Sequence, residues 1–373
     1  MEALTSSSSV AILGAGLMGR LLALALVRKG CAVALFDAGG PEAEGSAARV
    51  AAAMLAPLAE SAVTEASVVR MGHHALARWP QLIAQLDCHA DAPVFFQREG
   101  TLILWHRQDA PEAARLRQQL QTTQRQLPEL PAMQALDADG IAALEPSLGH
   151  RFGQGFYLPG EGQLDNRALL AALLQTLERS GVHLHWHSPR APEQFRPGAT
   201  GQPHWVFDCR GLGARPDWSG LRGVRGEVVR VLAPEVMLTR PTRLIHPRYP
   251  LYIAPKPGGV YVIGATEIES DDLSPASVRS TLELLSAAYS VHSGFAEARI
   301  LEIATQCRPA LPDNLPALRR LAPNVLQING LYRHGFMISP AVLDAVLQWV
   351  ETGEDTLARR FALRIENPLE TAA

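Results

Sequence analysis

The residues with the clearest chemical meaning are three glycines near the start of the chain. Gly14, Gly16 and Gly19 follow a short apolar run, 10–13, at G-x-G-x-x-G spacing. In such a turn the first glycine allows a tight bend, the second lets the backbone approach a pyrophosphate, and the third lets a helix pack closely on a strand. Asp37 ends the next apolar run, where a carboxylate can accept hydrogen bonds from ribose hydroxyls. The pattern predicts a nucleotide site and does not by itself distinguish FAD from NAD.

A second candidate for chemistry is an arginine far along the chain. Arg308 follows the segment 298–306, which is predicted as a strand that would deliver Arg308 to a loop. A guanidinium can bind a carboxylate through two parallel hydrogen bonds, which fixes the orientation of that carboxylate. From the residues alone, a substrate anchor and a structural arginine that binds loop carbonyls are equally good interpretations.

Histidines and cysteines give little support to a metal site. The alternating run 182–188 predicts a strand with His183, His185 and His187 on one face. A flat strand rarely brings three ligands to one ion, so a solvated strand face is favoured and no metal is expected. The 4 cysteines are scattered without a C-x-x-C pair, which argues against a disulfide framework and favours a reducing cytoplasm.

Composition excludes several other classes of protein. A chain of 373 residues, 47% of them hydrophobic, is long enough for two globular domains. The net charge of −3 provides no field for binding nucleic acid. The longest apolar runs, such as 21–27, are too short to span a bilayer, and the nucleotide motif lies too close to Met1 to leave room for a signal peptide. We therefore expect a cytoplasmic protein without a membrane span.

The elements that must position the glycines form a β-α-β unit. Its strands are predicted at 10–13 and 32–36, with the apolar helical run 21–27 between them. A later strand, 204–209, runs into the glycine turn 210–213. A strand that ends in such a turn is typical of a further strand meeting the nucleotide at the carboxyl edge of the sheet. The chain is thus expected to return to the nucleotide sheet after an intervening segment.

Three helices are predicted further along the chain, two of them from capping signals. Asp165 is a good N-cap for a helix at 166–179. Ser274, followed by Pro275, predicts the start of a helix that ends near Ala288. A closing helix is predicted at 340–351.

Domain organisation follows from a change of pattern at residue 223, after which short strands and turns indicate an antiparallel sheet. One face of that sheet would be covered and the other would line a cavity. The expected fold class is α/β, with a Rossmann-like FAD-binding domain interleaved with an antiparallel-sheet (α+β) substrate domain. NAD dehydrogenases usually keep their two domains in sequence, so interleaving favours FAD. The expected FAD-binding parts are 1–86, 151–222 and 307–373, and the expected substrate parts are 87–150 and 223–306.

Sequence blocks along the whole chain resemble the D-amino-acid oxidase superfamily, and within it the ThiO-type glycine oxidases. The blocks are GAGLMG (14–19), SAARVAAAMLAP (46–57), LEPSL (144–148), GEGQLDNRALLAAL (160–173), LRGVRGEVVRV (221–231), HPRYPLYIAP (246–255), VIGATEIE (262–269), CRPALPDNLP (307–316) and INGLYRHGFMISP (328–340). Their order and spacing are more specific than any single block. One departure is Ala53, because the family usually has glycine before the methionine of the flavin-facing loop.

The resemblance implies non-covalent FAD as the cofactor. By itself the Ala-rich run 45–57 favours an ordinary helix start, whereas the resemblance places part of it against the isoalloxazine ring. The implied FAD-binding residues are Gly14, Gly16, Leu17, Met18, Gly19, Asp37, Ala38, Ala52, Ala53, Met54, Leu331, Tyr332, Arg333, His334, Gly335, Phe336 and Met337. Cys307 lies where sarcosine oxidases attach flavin covalently, but the surrounding CRPALPD differs from their pattern, so no covalent bond is expected.

The resemblance also assigns roles at the substrate end. It implies that Arg308 binds the substrate carboxylate, that Arg333 is a second substrate-contacting arginine, and that the Tyr252 hydroxyl closes the site. The alternatives are a phosphate or carbonyl partner for Arg333 and a core position for Tyr252. His246 is interpreted as a polar residue at a strand end. FAD takes the hydride from the α-carbon, so no catalytic acid or base is expected.

The activity implied is oxidation of glycine, or a small amino acid, to the imine, with O2 reduced to H2O2, in the synthesis of the thiamine thiazole. The partners would be the amino acid and O2, and the family suggests a homotetramer. Three alternatives stay open: a D-amino-acid or sarcosine oxidase, a dehydrogenase that passes electrons to a quinone, and a catalytically silent flavoprotein subunit. Arg308 with Tyr252 argues against the silent subunit, because such a subunit needs no carboxylate clamp.

Overall fold

The computed structural model describes residues 3–87, 93–245 and 251–367. The α-helices in these ranges are α1 (Leu17–Arg28), α2 (Ala47–Val50), α3 (Pro57–Glu60), α4 (Ala66–Ile83), α5 (Ala110–Gln126), α6 (Ala138–Leu144), α7 (Asn166–Arg179), α8 (Val278–Val291), α9 (Gly335–Thr352) and α10 (Thr356–Arg360). The strands are β1 (Ser9–Leu13), β2 (Ala32–Phe36), β3 (Met54–Leu55), β4 (Phe96–Gln97), β5 (Thr101–Leu104), β6 (Gln134–Asp137), β7 (Gln154–Leu158), β8 (Gly162–Leu164), β9 (His183–His185), β10 (Trp205–Asp208), β11 (Arg222–Leu232), β12 (Thr242–Leu244), β13 (Leu251–Lys256), β14 (Val260–Gly264), β15 (Arg299–Ala310), β16 (Ala317–Ala322), β17 (Val325–Asn329) and β18 (Arg364–Glu366). The short 3-10 turns are Arg107–Asp109, Pro146–Leu148, Pro192–Gln194, Gly211–Ala214, Pro257–Gly259, Ser293–Glu297 and Tyr332–His334.

The first sheet is built around β1. Among the described residues its strand order is β18-β16-β17-β10-β1-β2-β9, and β1 runs parallel to both β10 and β2. The residues 10–13 of β1 are buried on both faces, which explains why this strand is a continuous apolar run rather than an alternating one. Pairing of β10 with β1 confirms the predicted return of the chain to the nucleotide sheet.

The second sheet is largely antiparallel, with the order β15-β11-β14-β13-β12-β5-β7-β6 within the part of the chain that the structure describes. Its parallel pair joins β12 to β5. The expected fold class, a mixed α/β architecture with a separate antiparallel sheet, is confirmed. Strand β7 pairs with β5 in this sheet, although it lies inside the range 151–222 that we expected in the FAD-binding domain. The division into domains stays a prediction.

Arg308 lies in a strand, whereas the sequence had predicted a loop. Strand β15 continues to Ala310 because the long strand β11 pairs with it along its length, with Val224 opposite Arg308. Pro309 has no N–H to donate, and it is tolerated because β15 is at the edge of the sheet. The regular geometry of the strand therefore fixes the direction of the Arg308 side chain.

Two other elements have bounds in the structure that differ from those predicted from the sequence. Helix α8 begins at Val278, because Ser277 is its N-cap and accepts a hydrogen bond from the Ser280 amide. Strand β9 ends at His185, since His187 adopts a left-handed backbone conformation with φ of 51°. By contrast, the predicted N-cap of α7 is confirmed: the Asp165 carboxylate accepts from the amides of residues 167 and 168.

Helix α9 is buried in the core of the protein and anchors the loop that precedes it. Its residues 336–343 are all buried, and a helix that is apolar all round belongs in the interior. It packs on α4, where the Trp79 indole donates to the Phe336 carbonyl at 2.9 Å. This contact fixes the start of α9 relative to the rest of the fold. None of the helices within the described ranges is long and apolar enough to cross a membrane.

Glu161 is a buried carboxyl group that should make stability depend on pH. Its Oε1 accepts from the Ala59 amide at 2.8 Å, while Oε2 has no hydrogen-bond partner among the described residues. Burial raises the pKa of Glu161 to about 7, above its value of about 4.3 in the unfolded chain. The folded state therefore keeps a proton that the unfolded state loses, and this contribution to stability disappears as the pH rises from about 4.3 through 7.

We expect Glu161→Gln to remove that loss. The free energy of unfolding of the variant minus that of wild type should be larger at pH 8 than at pH 5. The increase should be on the order of 1–3 kcal/mol. Denaturant unfolding at the two pH values measures the difference, with the exposed Glu129→Gln as control. An equal difference between wild type and Glu161→Gln at both pH values would contradict the prediction.

Candidate active site

A cavity of about 580 Å³ opens at the carboxyl ends of β1, β2 and β10, where they face residues of β11 and β15. Its volume is typical of a site for a small molecule or cofactor. The predicted site residues that line it are Gly14, Gly16, Leu17, Met18, Asp37, Ala38, Ala52, Ala53, Met54, Tyr252, Arg308, Leu331, Tyr332, Arg333, His334, Gly335, Phe336 and Met337. Gly19 lies outside the lining. The structure thus brings together nearly all the residues predicted from sequence; their contacts with FAD and substrate stay predictions.

The glycine turn forms a cradle that side chains would fill. Gly14 has φ of 96°, and a Cβ atom there would lie 2.6 Å from the Cys209 carbonyl oxygen. A Cβ atom on Gly19 would lie 1.9 Å from the Gly14 carbonyl oxygen, so this glycine lets α1 approach the turn. Gly16 precedes α1 and makes no side-chain cap. The first amides of α1 are therefore free to bind phosphate oxygens.

Asp37 lies at the end of β2 beside this turn. Its carboxylate accepts from the Ala15 amide at 2.5 Å and from the Gly39 amide at 2.7 Å. These bonds orient the carboxylate at the rim of the cavity and leave it further acceptor capacity. This arrangement suits a group with vicinal hydroxyls, such as the ribose of a dinucleotide.

The Ala-rich segment forms an extended wall rather than a helix beyond α2. Ala53 adopts φ of 53°, a left-handed conformation that favours glycine. This gives a physical reason why the family usually has glycine there. Lys256, which sequence reasoning missed, fixes the wall because its Nζ donates to the Ala52 and Leu164 carbonyls, both at 2.8 Å. Burial lowers the pKa of Lys256 to about 7.

The substrate end of the cavity carries five charged side chains, which we call the charged cluster. Its members are Glu60, Arg243, Glu267, Arg308 and Arg333. Each belongs to a different element or turn of the chain. The cluster therefore forms only when the two sheets and the loop before α9 are in place.

Glu60 is the buried centre of this cluster. Its carboxylate pairs with Arg243 Nη2 at 2.5 Å and with Arg333 Nε at 3.1 Å. Burial acts to raise the pKa of Glu60, but the guanidinium groups of Arg333 and Arg243 outweigh it and hold that pKa well below its usual range. His334 is also close, with Nδ1 at 3.5 Å from the carboxylate, and burial lowers the pKa of His334 to about 4. At neutral pH, Glu60 is thus charged and His334 is neutral.

Arg308 differs from the other arginines of the charged cluster. Both of its terminal nitrogens donate to the Thr266 carbonyl at 3.2 Å, and no carboxylate of the described residues forms an ion pair with it. Gly226 leaves room for the side chain, since a Cβ atom there would lie 2.3 Å from Arg308 Nη2. Arg308 is half-buried, and a guanidinium partly removed from water without a counter-charge is costly. A bound anion in the cavity would supply that charge.

Arg333 is paired within the protein. Besides its contact with Glu60, its Nη1 lies 2.6 Å from Glu267 Oε2. The hydroxyl of Tyr332 donates to the other oxygen of Glu267 at 2.6 Å. Sequence reasoning missed Glu60, Arg243 and Glu267, because no spacing connects residues so far apart in the chain.

Other sequence candidates do not belong to the charged cluster, although Cys307 lines the cavity. The Cys307 thiol donates to the Ser270 carbonyl at 3.5 Å and is buried. His185 stacks on Phe36 with ring centroids 4.5 Å apart, and within the described ranges no group of side chains is placed to hold a metal ion. His246 lies outside the described residues.

The donors present fit FAD. The turn offers amides that could bind a pyrophosphate, the Asp37 carboxylate offers acceptors for ribose hydroxyls, and the small side chains of Ala52 and Ala53 leave room in the cavity for a flat ring. The family model described as FAD dependent oxidoreductase, DAO, matches residues 9–348.

Individual relatives agree with this match. A protein of Rhizobium etli with the provisional name thiamine biosynthesis oxidoreductase ThiO is 37% identical over 351 residues, which are 93% of this chain and 98% of that protein. The glycine oxidase of Geobacillus kaustophilus is 27% identical over 373 residues, covering 94% of this chain and 95% of that protein. A crystal structure of glycine oxidase from Geobacillus kaustophilus superposes with a TM-score of 0.78 at 25% identity, over 94% of this chain and 96% of the other. The cradle, the cavity and these matches together show that the chain belongs to the DAO family of FAD-dependent oxidoreductases.

Proposed function

We propose that this FAD-dependent oxidoreductase oxidises glycine, or another small amino acid with one carboxylate, to the imine. The guanidinium of Arg308, which lines the cavity and forms no ion pair with the described residues, is the observation that carries the proposal. The reaction removes a hydride from the α-carbon and a proton from the amino nitrogen, and O2 takes up two electrons and two protons to form H2O2. FAD, when bound, supplies the two-electron acceptor.

The protein residues in this proposal bind and orient. Arg308 grips the substrate carboxylate, and Tyr252 lines the cavity beside it. Burial lowers the pKa of Arg308, but an arginine stays charged at neutral pH. A fixed carboxylate limits how the α-carbon can turn, which lowers the entropic cost of the reaction. No acid or base among the protein side chains is assigned.

A role in making the thiamine thiazole is the biological context that we propose. The name of the Rhizobium etli relative supports it. We further propose that the enzyme works in the cytoplasm, since Cys31, Cys209 and Cys307 are free thiols, as is usual in a reducing compartment. A homotetramer and the choice of O2 as acceptor rest on the family resemblance.

Substrate addition without oxygen tests the proposed function. The purified yellow protein is mixed anaerobically with glycine, sarcosine or D-alanine, and the visible flavin absorbance is recorded. Bleaching by glycine, followed by H2O2 formation when air is admitted, is the expected result. Faster bleaching by sarcosine or D-alanine would favour the corresponding oxidase. Bleaching without H2O2 formation in air would indicate a dehydrogenase, and no bleaching by any amine would indicate a silent subunit.

We also expect the flavin to be non-covalent. The Cys307 thiol is buried and directed toward the Ser270 and Asp272 carbonyls, and burial raises its pKa, so little reactive thiolate is present. Acid precipitation of the protein should leave the yellow colour in the supernatant. Colour that remains in a washed pellet would contradict this prediction.

A further inference from the structure

We propose that Glu267 is a specificity-determining residue that restricts the site to substrates with a single carboxylate. The inference rests on the proposed function, because it names which amino acids the same cavity accepts. It concerns a side chain that the proposed reaction does not otherwise use.

Glu267 is placed at the mouth of the cavity. Its side chain is 40% exposed, compared with 17% for Arg333, and both residues line the cavity. One carboxylate oxygen accepts from the Tyr332 hydroxyl and the other pairs with Arg333, each at 2.6 Å. Glu267 thus already pairs with the guanidinium of Arg333, which a second carboxylate of a substrate would need as its partner.

The charges of the cluster explain the selectivity. Its three guanidinium groups face two carboxylates, Glu60 and Glu267, and His334 is neutral at pH 7. One positive charge is left over, at Arg308. That single excess charge matches one substrate carboxylate. A second substrate carboxylate would find no uncompensated cation among the described residues at the substrate end of the cavity.

A second carboxylate would also meet Glu267 directly. Two like charges placed side by side at a binding site weaken the binding of the ligand that carries one of them. Solvent screening at the partly exposed mouth of the cavity reduces this effect. We therefore expect selectivity of about tenfold against a dianion rather than complete exclusion. Removing the charge of Glu267 raises the net charge of the cluster to two, because Arg333 and Arg243 then share the single carboxylate of Glu60.

Ligand binding to the oxidised holoenzyme tests this without any turnover. Acetate and malonate differ by one carboxylate, and at pH 8 both are fully ionised. Their binding is followed by the change in the visible flavin spectrum. Wild type should bind acetate about tenfold more tightly than malonate. Glu267→Gln keeps a side chain of the same shape and should make malonate the tighter ligand.

The matched control is Glu269→Gln. Glu269 lies two positions along the chain, is 67% exposed and pairs with Arg222, and it does not line the cavity. This variant should keep the wild-type ratio of acetate to malonate affinity. Turnover gives a second measure. The kcat/KM for iminodiacetate divided by the kcat/KM for glycine should be at least about tenfold higher in Glu267→Gln than in wild type.

Two results would overturn the assignment. One is a folded, yellow Glu267→Gln enzyme with the wild-type acetate-to-malonate ratio. The other, which needs no variant, is wild-type enzyme that binds malonate as tightly as acetate. Failure of the proposed function is a separate outcome: wild type would then discriminate between the two anions while no amino acid bleaches its flavin.

Discussion

Arg308→Ala should lower kcat/KM for the amino acid by at least about 100-fold and leave FAD bound. In the folded protein the Arg308 guanidinium has carbonyl partners and no ion pair with the described residues, so a substrate carboxylate would be its counter-charge. Removing it therefore removes the strongest substrate contact, while the glycine turn and Asp37 stay intact. Steady-state kinetics measure the loss, and the flavin absorbance per mole of protein measures cofactor content.

The same variant should not destabilise the protein. Arg308 is half-buried and forms no ion pair with the described residues, which costs free energy, so Arg308→Ala should leave the Tm equal to or above that of wild type. A merely structural arginine would give the opposite result. Arg299→Ala, an exposed position on the same strand β15, is the control and should keep wild-type kinetics. Normal turnover by Arg308→Ala would rule out Arg308 as the substrate anchor. A lower Tm together with normal turnover would indicate that Arg308 has a structural role.

Gly19→Ala should strongly destabilise the FAD-binding region and lower its flavin content. The added Cβ would lie 1.9 Å from the Gly14 carbonyl oxygen, and backbone on both sides leaves no flexible side chain to move. Helix α1 would have to shift away from the turn, which we expect to cost about 3 kcal/mol or more and to displace the phosphate-binding amides. Thermal unfolding and bound flavin per mole of protein report the two effects.

Gly153→Ala is the control for this substitution. A Cβ atom at Gly153 would meet nothing within 4 Å, so the same chemical change should leave both the Tm and the flavin content close to wild type. If Gly19→Ala were purified yellow with an unchanged Tm, the close packing of α1 on the turn would be wrong.

The β-α-β unit could be predicted from sequence because its signals are local. Gly14, Gly16 and Gly19 fix the turn, the apolar runs fix β1 and β2, and Asp37 ends the unit. The cap at Asp165 is local in the same sense, since its partners are two and three residues away. Ser274 shows the limit: it hydrogen-bonds to Asp272 instead, and Ser277 caps α8.

The charged cluster could not be predicted from local signals. Glu60 and Arg243 are 183 positions apart, and nothing in the residues around either one indicates the other. Whether Arg308 lies in a loop or a strand depends on the length of β11, which the residues 298–306 do not reveal. The family resemblance located Arg308 and Arg333, but the carboxylates that pair with Arg333 became visible only from the fold.

The central position of β1 has a consequence for folding during synthesis. The hydrogen bond between Ser9 and His204 joins residues 195 apart, so β1 cannot gain its neighbour β10 until more than half of the chain has left the ribosome. At ordinary translation speeds this takes roughly 10–40 s. During that interval the nascent β1-α1-β2 unit has an unpaired parallel edge, which is a template for aggregation. Chaperone supply and growth temperature during synthesis should therefore affect the soluble yield.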